Sequence, residues 1–386
     1  MNTREPMSSD HVEGQDLDTL WRRVIGRRSF LQGVGLAGAA TLPGAVLPAV
    51  ASAKSGGITK GDVAILRFLA AAEIIESDLW TQYAEFGGVA PGGGNAPYVA
   101  ALQNLDGDMP QYISDNTDDE LSHAAFLNAY LESKGAAPVS LEKFRTLEGS
   151  TATGSSGKRR LTNLLHLNVD TSWYTRYRSR ENPDFGDKFA QAISIVDKPA
   201  IPVSDADTPP TTEVGQPPIT GKAARRIQAI ANTAGFHFAF IEQGGSSLYS
   251  TMALKATNLE VLRIVVSIGG VETNHFSLWH DKAGNAISDP LAPLTDPETG
   301  LMFRNFNSPA TELTQTNLIL PEPCDFIHES LPDCSVVRPA GITHNSGARA
   351  AVKGFTDDGL FHGQPPEFFK TLNKLADAAD AARRHG

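Results

Sequence analysis

Two short stretches carry a carboxylate and an imidazole three positions apart: Glu120-Leu-Ser-His123 and Glu272-Thr-Asn-His275. On a helix, positions i and i+3 share a face, so each pair can bring an oxygen and a nitrogen donor to one metal ion. With 19 Glu and 10 His in 386 residues, random placement gives about half of one such pair. Two further glutamates stand in apolar or small-residue surroundings. Aligned on the carboxylate, Glu73-Ile-Ile-Glu-Ser-Asp-Leu-Trp80 and Glu242-Gln-Gly-Gly-Ser-Ser-Leu-Tyr249 share Ser at +4, Leu at +6 and an aromatic at +7. Seven residues is nearly two turns, which puts the aromatic on the glutamate's face about 10 Å along the axis. The order along the chain is Glu, Glu-x-x-His, Glu, Glu-x-x-His, an internal repeat of two helical hairpins. Ionised groups in the middle of buried helices need a partner or a metal.

The elements that must carry these residues are legible from apolar spacing. Residues 62–86 read as a long helix ending at Gly87-Gly88, and 97–105 as a short one. Residues 110–134 form a second long helix, with Pro110 suited to its first turn and Gly135 to its end. Third and fourth long helices span roughly 222–254 and 258–281. Gly244-Gly245 inside the third predicts a kink or a π-bulge. Between the second and third helices, 136–220 is Pro-rich and irregular, with a short helix in LTNLLHLNV and a solvated helix start at Lys158-Arg159-Arg160. Residues 285–364 read as a loop-dominated wrap and 366–384 as a final helix. The fold class is an all-α core.

The repeat resembles the ferritin-like superfamily of dinuclear carboxylate proteins, in which two helices each give one Glu and two give a Glu-x-x-His. The resemblance covers the four long helices. It implies a ferritin-like four-helix bundle over 54–284, with a long insertion at about 136–220 between helices two and three, and a loop-rich C-terminal extension over 285–386. It also implies a ligand set: Glu73 and Glu242 as single ligands, Glu120 with His123 and Glu272 with His275 as pairs, and Glu120 and Glu272 as the metal-bridging residues. Four carboxylates and two neutral imidazoles balance two divalent cations. Hard oxygen and imidazole donors suit iron or manganese and do not exclude zinc. The opposing view is a metal-free bundle whose Glu and His pair with one another.

Residues 1–53 read as a targeting segment. Arg27-Arg28 followed by Ser-Phe-Leu-Gln resembles the twin-arginine export motif, and Ala51-Ser52-Ala53 supplies a small-residue cleavage pattern. This implies engagement of the twin-arginine machinery, folding before export, and a periplasmic or extracellular product without stable membrane insertion. The sequence also resembles exported, desiccation-related ferritin-like proteins of bacteria. In an oxidising compartment, Cys324 and Cys334, ten residues apart, would form a disulfide contributing roughly 2–3 kcal/mol.

Other polar residues carry plainer expectations. Glu76, one turn from Glu73, reads as solvated or ion-paired, or else as an extra ligand. His237 points about 140° away from Glu242 around the helix and reads as structural. Trp279 and His280 cap or pack; Tyr83, Tyr130 and Tyr249 pack with satisfied hydroxyls. His328, His344 and His362 read as surface residues.

A net charge of −11 without a basic stripe argues against nucleic acid as a partner. Large insertions argue against a closed storage shell and are compatible with a homodimer. Two functions follow: an exported protein whose dinuclear iron or manganese centre does redox chemistry on dioxygen, peroxide or ferrous iron, or a non-catalytic envelope stress protein that uses the bundle as a scaffold. A third reading makes the insertions an interaction module.

Overall fold

Four long helices form where the apolar spacing places them. The computed structural model describes residues 57–384 apart from 90–93, 172–192, 211–212, 284–285, 287, 308–318, 320, 322, 325–326 and 338–346. The targeting segment with Arg27 and Arg28, and His344, lie outside the described residues.

Helix α1 (Lys60–Gly87) opens with a capping box in which the Asp62 amide donates to Thr59 Oγ1 and the Thr59 amide donates to Asp62 Oδ2, both at 3.0 Å. The second Asp62 oxygen accepts from the amides of Thr257 and Asn258, so a buried acid ties the beginning of α1 to a distant turn. Helix α2 (Ala96–Leu105) is short. Helix α3 (Met109–Ser133) has Pro110 in its first turn, and Gly135 at φ +73° follows its end. Helices α4 (Lys222–Lys255) and α5 (Leu259–Lys282) are separated by a turn in which Asn258 caps α5. Helix α1 packs along α3, α4 along α5, and α2 against α4. At the bundle centre Trp80 and Trp279 stack at 5.3 Å, Phe238 lies against both, and Tyr83 meets Phe238 edge-on.

The insertion differs from expectation at two places. LTNLLHLNV forms no helix. Its end is strand β1 (Leu167–Asp170), paired antiparallel with β2 (Ser194–Lys198) through Val169 and Ile195. Run-on leucines suggested a helix, but the partner strand two dozen residues later imposes a period of two. Arg160 is not a solvated helix start: it is buried, bridges to Leu147 through the backbone, and pairs with Glu85. Asp78 on α1 anchors this region, its Oδ2 accepting from the amides of Leu161 and Thr162 and from the Thr162 hydroxyl.

In the C-terminal extension a two-residue ladder joins β3 (Leu294–Thr295) to β4 (Met302–Phe303). Helix α6 (Ala348–Asp357) occupies part of the expected wrap; ten residues with four buried are too short for apolar spacing to announce. Helix α7 (Pro366–Asp380) packs on α1. No disulfide joins Cys324 and Cys334. The Cys324 sulfur faces the carbonyl oxygen of Cys334 at 3.9 Å, while the Cys334 sulfur turns to the exposed side beside the Ser335 carbonyl. The short loop therefore brings the backbone of one cysteine, not its thiol, to the other. Among the described residues, no helix is long and apolar enough to cross a membrane.

Candidate metal centre

All six residues singled out by spacing meet inside the bundle. Glu73 comes from α1, Glu120 and His123 from α3, Glu242 from α4, and Glu272 and His275 from α5, and every one is buried. They fall into two overlapping sets: Glu73, Glu120, His123 and Glu272, then Glu120, Glu242, Glu272 and His275. Within each set one donor atom per residue lies within 4.8 Å of all the others. Glu120 and Glu272 belong to both sets.

His123 Nδ1 lies 3.2 Å from Glu120 Oε2, 3.4 Å from Glu73 Oε2 and 3.5 Å from Glu272 Oε1. His275 Nδ1 lies 3.1 Å from Glu120 Oε1 and 3.3 Å from Glu242 Oε2. Each ring thus turns the same nitrogen inward. The outer nitrogen of His275 faces Asp119 Oδ2 at 3.1 Å, a carboxylate placed to orient the ring.

Neighbouring groups hold the carboxylates. Asn116 Nδ2 donates to Glu120 Oε1 and Glu242 Oε1 at 3.0 and 3.1 Å, and its own oxygen accepts from Trp279 Nε1 at 2.7 Å. The Tyr249 hydroxyl donates to Glu73 Oε1. Tyr249 sits seven residues after Glu242 but serves the glutamate of the other hairpin. The equivalent Trp80 packs in the core.

Gly244-Gly245 makes no π-bulge, for α4 runs through it as α-helix. A Cβ on Gly245 would stand 2.3 Å from Glu272 Oε2, and one on Gly269 would stand 2.7 Å from the Tyr249 Cβ. The two glycines let α4 and α5 approach closely enough to seat the Glu272 carboxylate.

Glu76 is not solvated. It is 3 % exposed, and burial followed by the charges of Glu73, Glu120 and Glu242 pushes its pKa well up. Its spacing from Glu73 signalled a shared face, but only packing shows that the face is inward. Asn116 and Asp119, four positions and one position before Glu120, carried no separate signal in the sequence.

The electrostatics are those of a site short of positive charge. Burial pushes Glu73 up to about 8 against the pull of the nearby His123 ring, and raises Glu272 well above the ordinary carboxylate range with help from the surrounding glutamates. Burial acts on Glu120 in the same direction, but the close imidazoles of His123 and His275 outweigh it and hold that group at about 2. His123 rises to about 10 because its bonds to Glu120 and Glu73 overcome the cost of burying its charge. Even so, Glu73 Oε2, Glu242 Oε2, both oxygens of Glu272 and His275 Nδ1 make no hydrogen bond. Buried polar atoms in native proteins are rarely left so. Five orphaned donor atoms converging on one cluster fit a pair of metal cations, which would give each a partner.

No curated protein and no solved structure matches this chain. The family model for the ferritin-like domain matches residues 61–285, a span that contains all six clustered residues. Because that match takes in more than half of the sequence, and the helices it covers form the bundle described above, this chain belongs to the ferritin-like domain family.

Proposed function

We propose that the protein holds two divalent metal ions, iron or manganese, and acts on a small oxidant, dioxygen or peroxide, or on ferrous iron. The observation that carries this reading is the overlap of the two ligand sets at Glu120 and Glu272, each with enough carboxylate oxygens to serve both positions. Two adjacent redox metals so held supply Lewis acidity and a shared two-electron change. The chain's own residues do the rest. Asn116 and Tyr249 fix the carboxylates Glu120, Glu242 and Glu73, and Asp119 fixes the ring of His275. Glu73, Glu272 and His123 can hold protons while the metals are absent and give them up on loading.

A small gap lies beside the cluster, at Gly245, which faces the Glu272 carboxylate. The gap bordered by Glu76, Gly244, Gly245, Leu248, Ala351 and Phe355 holds about 10 Å³, room for about one water. Like that gap, two wider clefts of about 610 and 500 Å³ are lined by none of the six clustered residues. The Arg27-Arg28 motif supports export by the twin-arginine route as part of this proposal.

Elemental analysis of purified protein tests the reading: about two iron or manganese ions per chain are expected, with turnover of peroxide or oxidation of ferrous iron. A folded wild-type protein that takes up neither metal on reconstitution would refute it.

A further inference from the structure

Away from the carboxylate cluster, α1 and α7 border a groove of about 610 Å³ that residues 138–141 close on one side. This volume lies within the range of small-molecule sites, about 300–1,000 Å³. Lys60 and Arg67 stand seven residues apart on α1, two turns along one face, and Lys370 and Lys374 stand one turn apart on α7. Val63, Leu141 and Leu375 add apolar lining, and no acidic residue lines the groove.

Many of the buried or half-buried cations elsewhere among the described residues are paired. Arg145 meets Asp78, Arg160 meets Glu85, Arg226 meets Asp207 and Asp296, Lys255 meets Asp380, and Lys282 meets Asp106. Among the described residues the four groove cations have no ion pair, although the chain carries a net charge of −11. Arg67 Nε is closed off from solvent and makes no hydrogen bond. Lys60 is the first residue of α1, where the helix dipole disfavours a cation, so helix stability does not account for it.

We propose that this groove binds an amphiphilic anion, with a phosphate monoester held by the groove cations and an alkyl chain lying against the apolar lining. A phosphate monoester carries about −1.5 to −2 at neutral pH and three acceptor oxygens, which suits four uncompensated cations better than a singly charged carboxylate does. The guanidinium of Arg67 offers the fork of donors that matches such a group. The site shares no residue with the carboxylate cluster and stands without it.

Calorimetric titration of the full chain with dodecyl phosphate, kept below its micellar concentration, tests this. One saturable site per chain is expected. Inorganic phosphate and dodecanol, each retaining one half of the contact, should bind at least about tenfold more weakly, and dodecanoate should fall between. Reversing the exposed pair, Lys370→Glu with Lys374→Glu, should weaken dodecyl phosphate at least about tenfold while metal content stays the same. If that variant melts at a lower temperature, the neutral pair Lys370→Gln with Lys374→Gln is read instead, with a smaller loss in the same direction. Absence of saturable binding, equal affinity in wild type and variants, or binding only to phosphatidate-containing vesicles and not to the monomer would each overturn the proposal.

Discussion

Two buried polar clusters lie within the same bundle, and they are built on opposite principles. In the first, Tyr83, His237 and Asp358 form a line: the Tyr83 hydroxyl meets His237 Nδ1 at 2.7 Å, and His237 Nε2 meets Asp358 Oδ2 at 2.7 Å. Of the atoms in that line only Asp358 Oδ1 lacks a hydrogen bond. In the second, four glutamates and two histidines leave five donor atoms with none. The line is satisfied by protein at all but that one oxygen, and it ties the C-terminal extension to α1 and α4. The carboxylate cluster is complete only with cations added. Satisfaction of buried polar atoms, rather than burial or charge alone, separates a structural network from a binding site.

The largest effect that could break this contrast is on metal. Glu120→Ala removes a ligand common to both sets, so metal per chain should fall from about two to near zero, whereas Glu73→Ala should leave one ion; elemental analysis reads both. If Glu120→Ala keeps both ions, the overlap of the two sets has no functional meaning. Stability should move in opposite directions in the two clusters. His237→Ala strips both partners from a buried chain and should cost about 3–5 kcal/mol in denaturant unfolding of metal-free protein. Glu272→Gln, tested under the same metal-free conditions, removes a source of carboxylate repulsion and should raise stability by about 1 kcal/mol or more. Equal destabilisation by both would erase the distinction.

Gly245→Ala should displace the Glu272 carboxylate and weaken metal binding about 10–100-fold, the range seen when a ligand's supporting shell is disturbed. Competition with a chelator measures this. Proton release sharpens the same point. Glu73 at about 8 and His123 at about 10 hold protons at neutral pH in the metal-free protein. Both must leave when a cation binds, so affinity should rise with pH between 6 and 8, by up to roughly tenfold per unit for each proton released. Calorimetry in buffers of different ionisation enthalpy counts those protons; none released would contradict the raised values. The smallest effect is Tyr83→Phe, which leaves His237 Nδ1 without its partner and should cost about 1–2 kcal/mol without changing metal content.

The legible parts of the site are those set by local geometry. Glu120 with His123 and Glu272 with His275 could be paired on paper because three residues on a helix always bring two side chains to one face. The helices could be read because their apolar residues recur with the helical period. Glu76 was misjudged because a shared face says nothing about whether that face is buried. The strand at Leu167–Asp170 was misjudged because its pairing partner lies far along the chain. The disulfide expectation failed for a related reason: separation in sequence does not say which way two thiols turn.

By itself, then, the sequence determined the four helices, the order of their ligands and the charge that two metal ions would balance, because helical periodicity is a property of neighbouring residues. Tertiary structure alone decided that Tyr249 serves Glu73 across the bundle, that Gly245 makes room for Glu272, that Asp358 completes a line begun at Tyr83, and that lysine and arginine side chains of α1 and α7 line one groove. Each of these joins residues more than 20 positions apart, and such contacts are set by how helices pack rather than by any local preference of the chain.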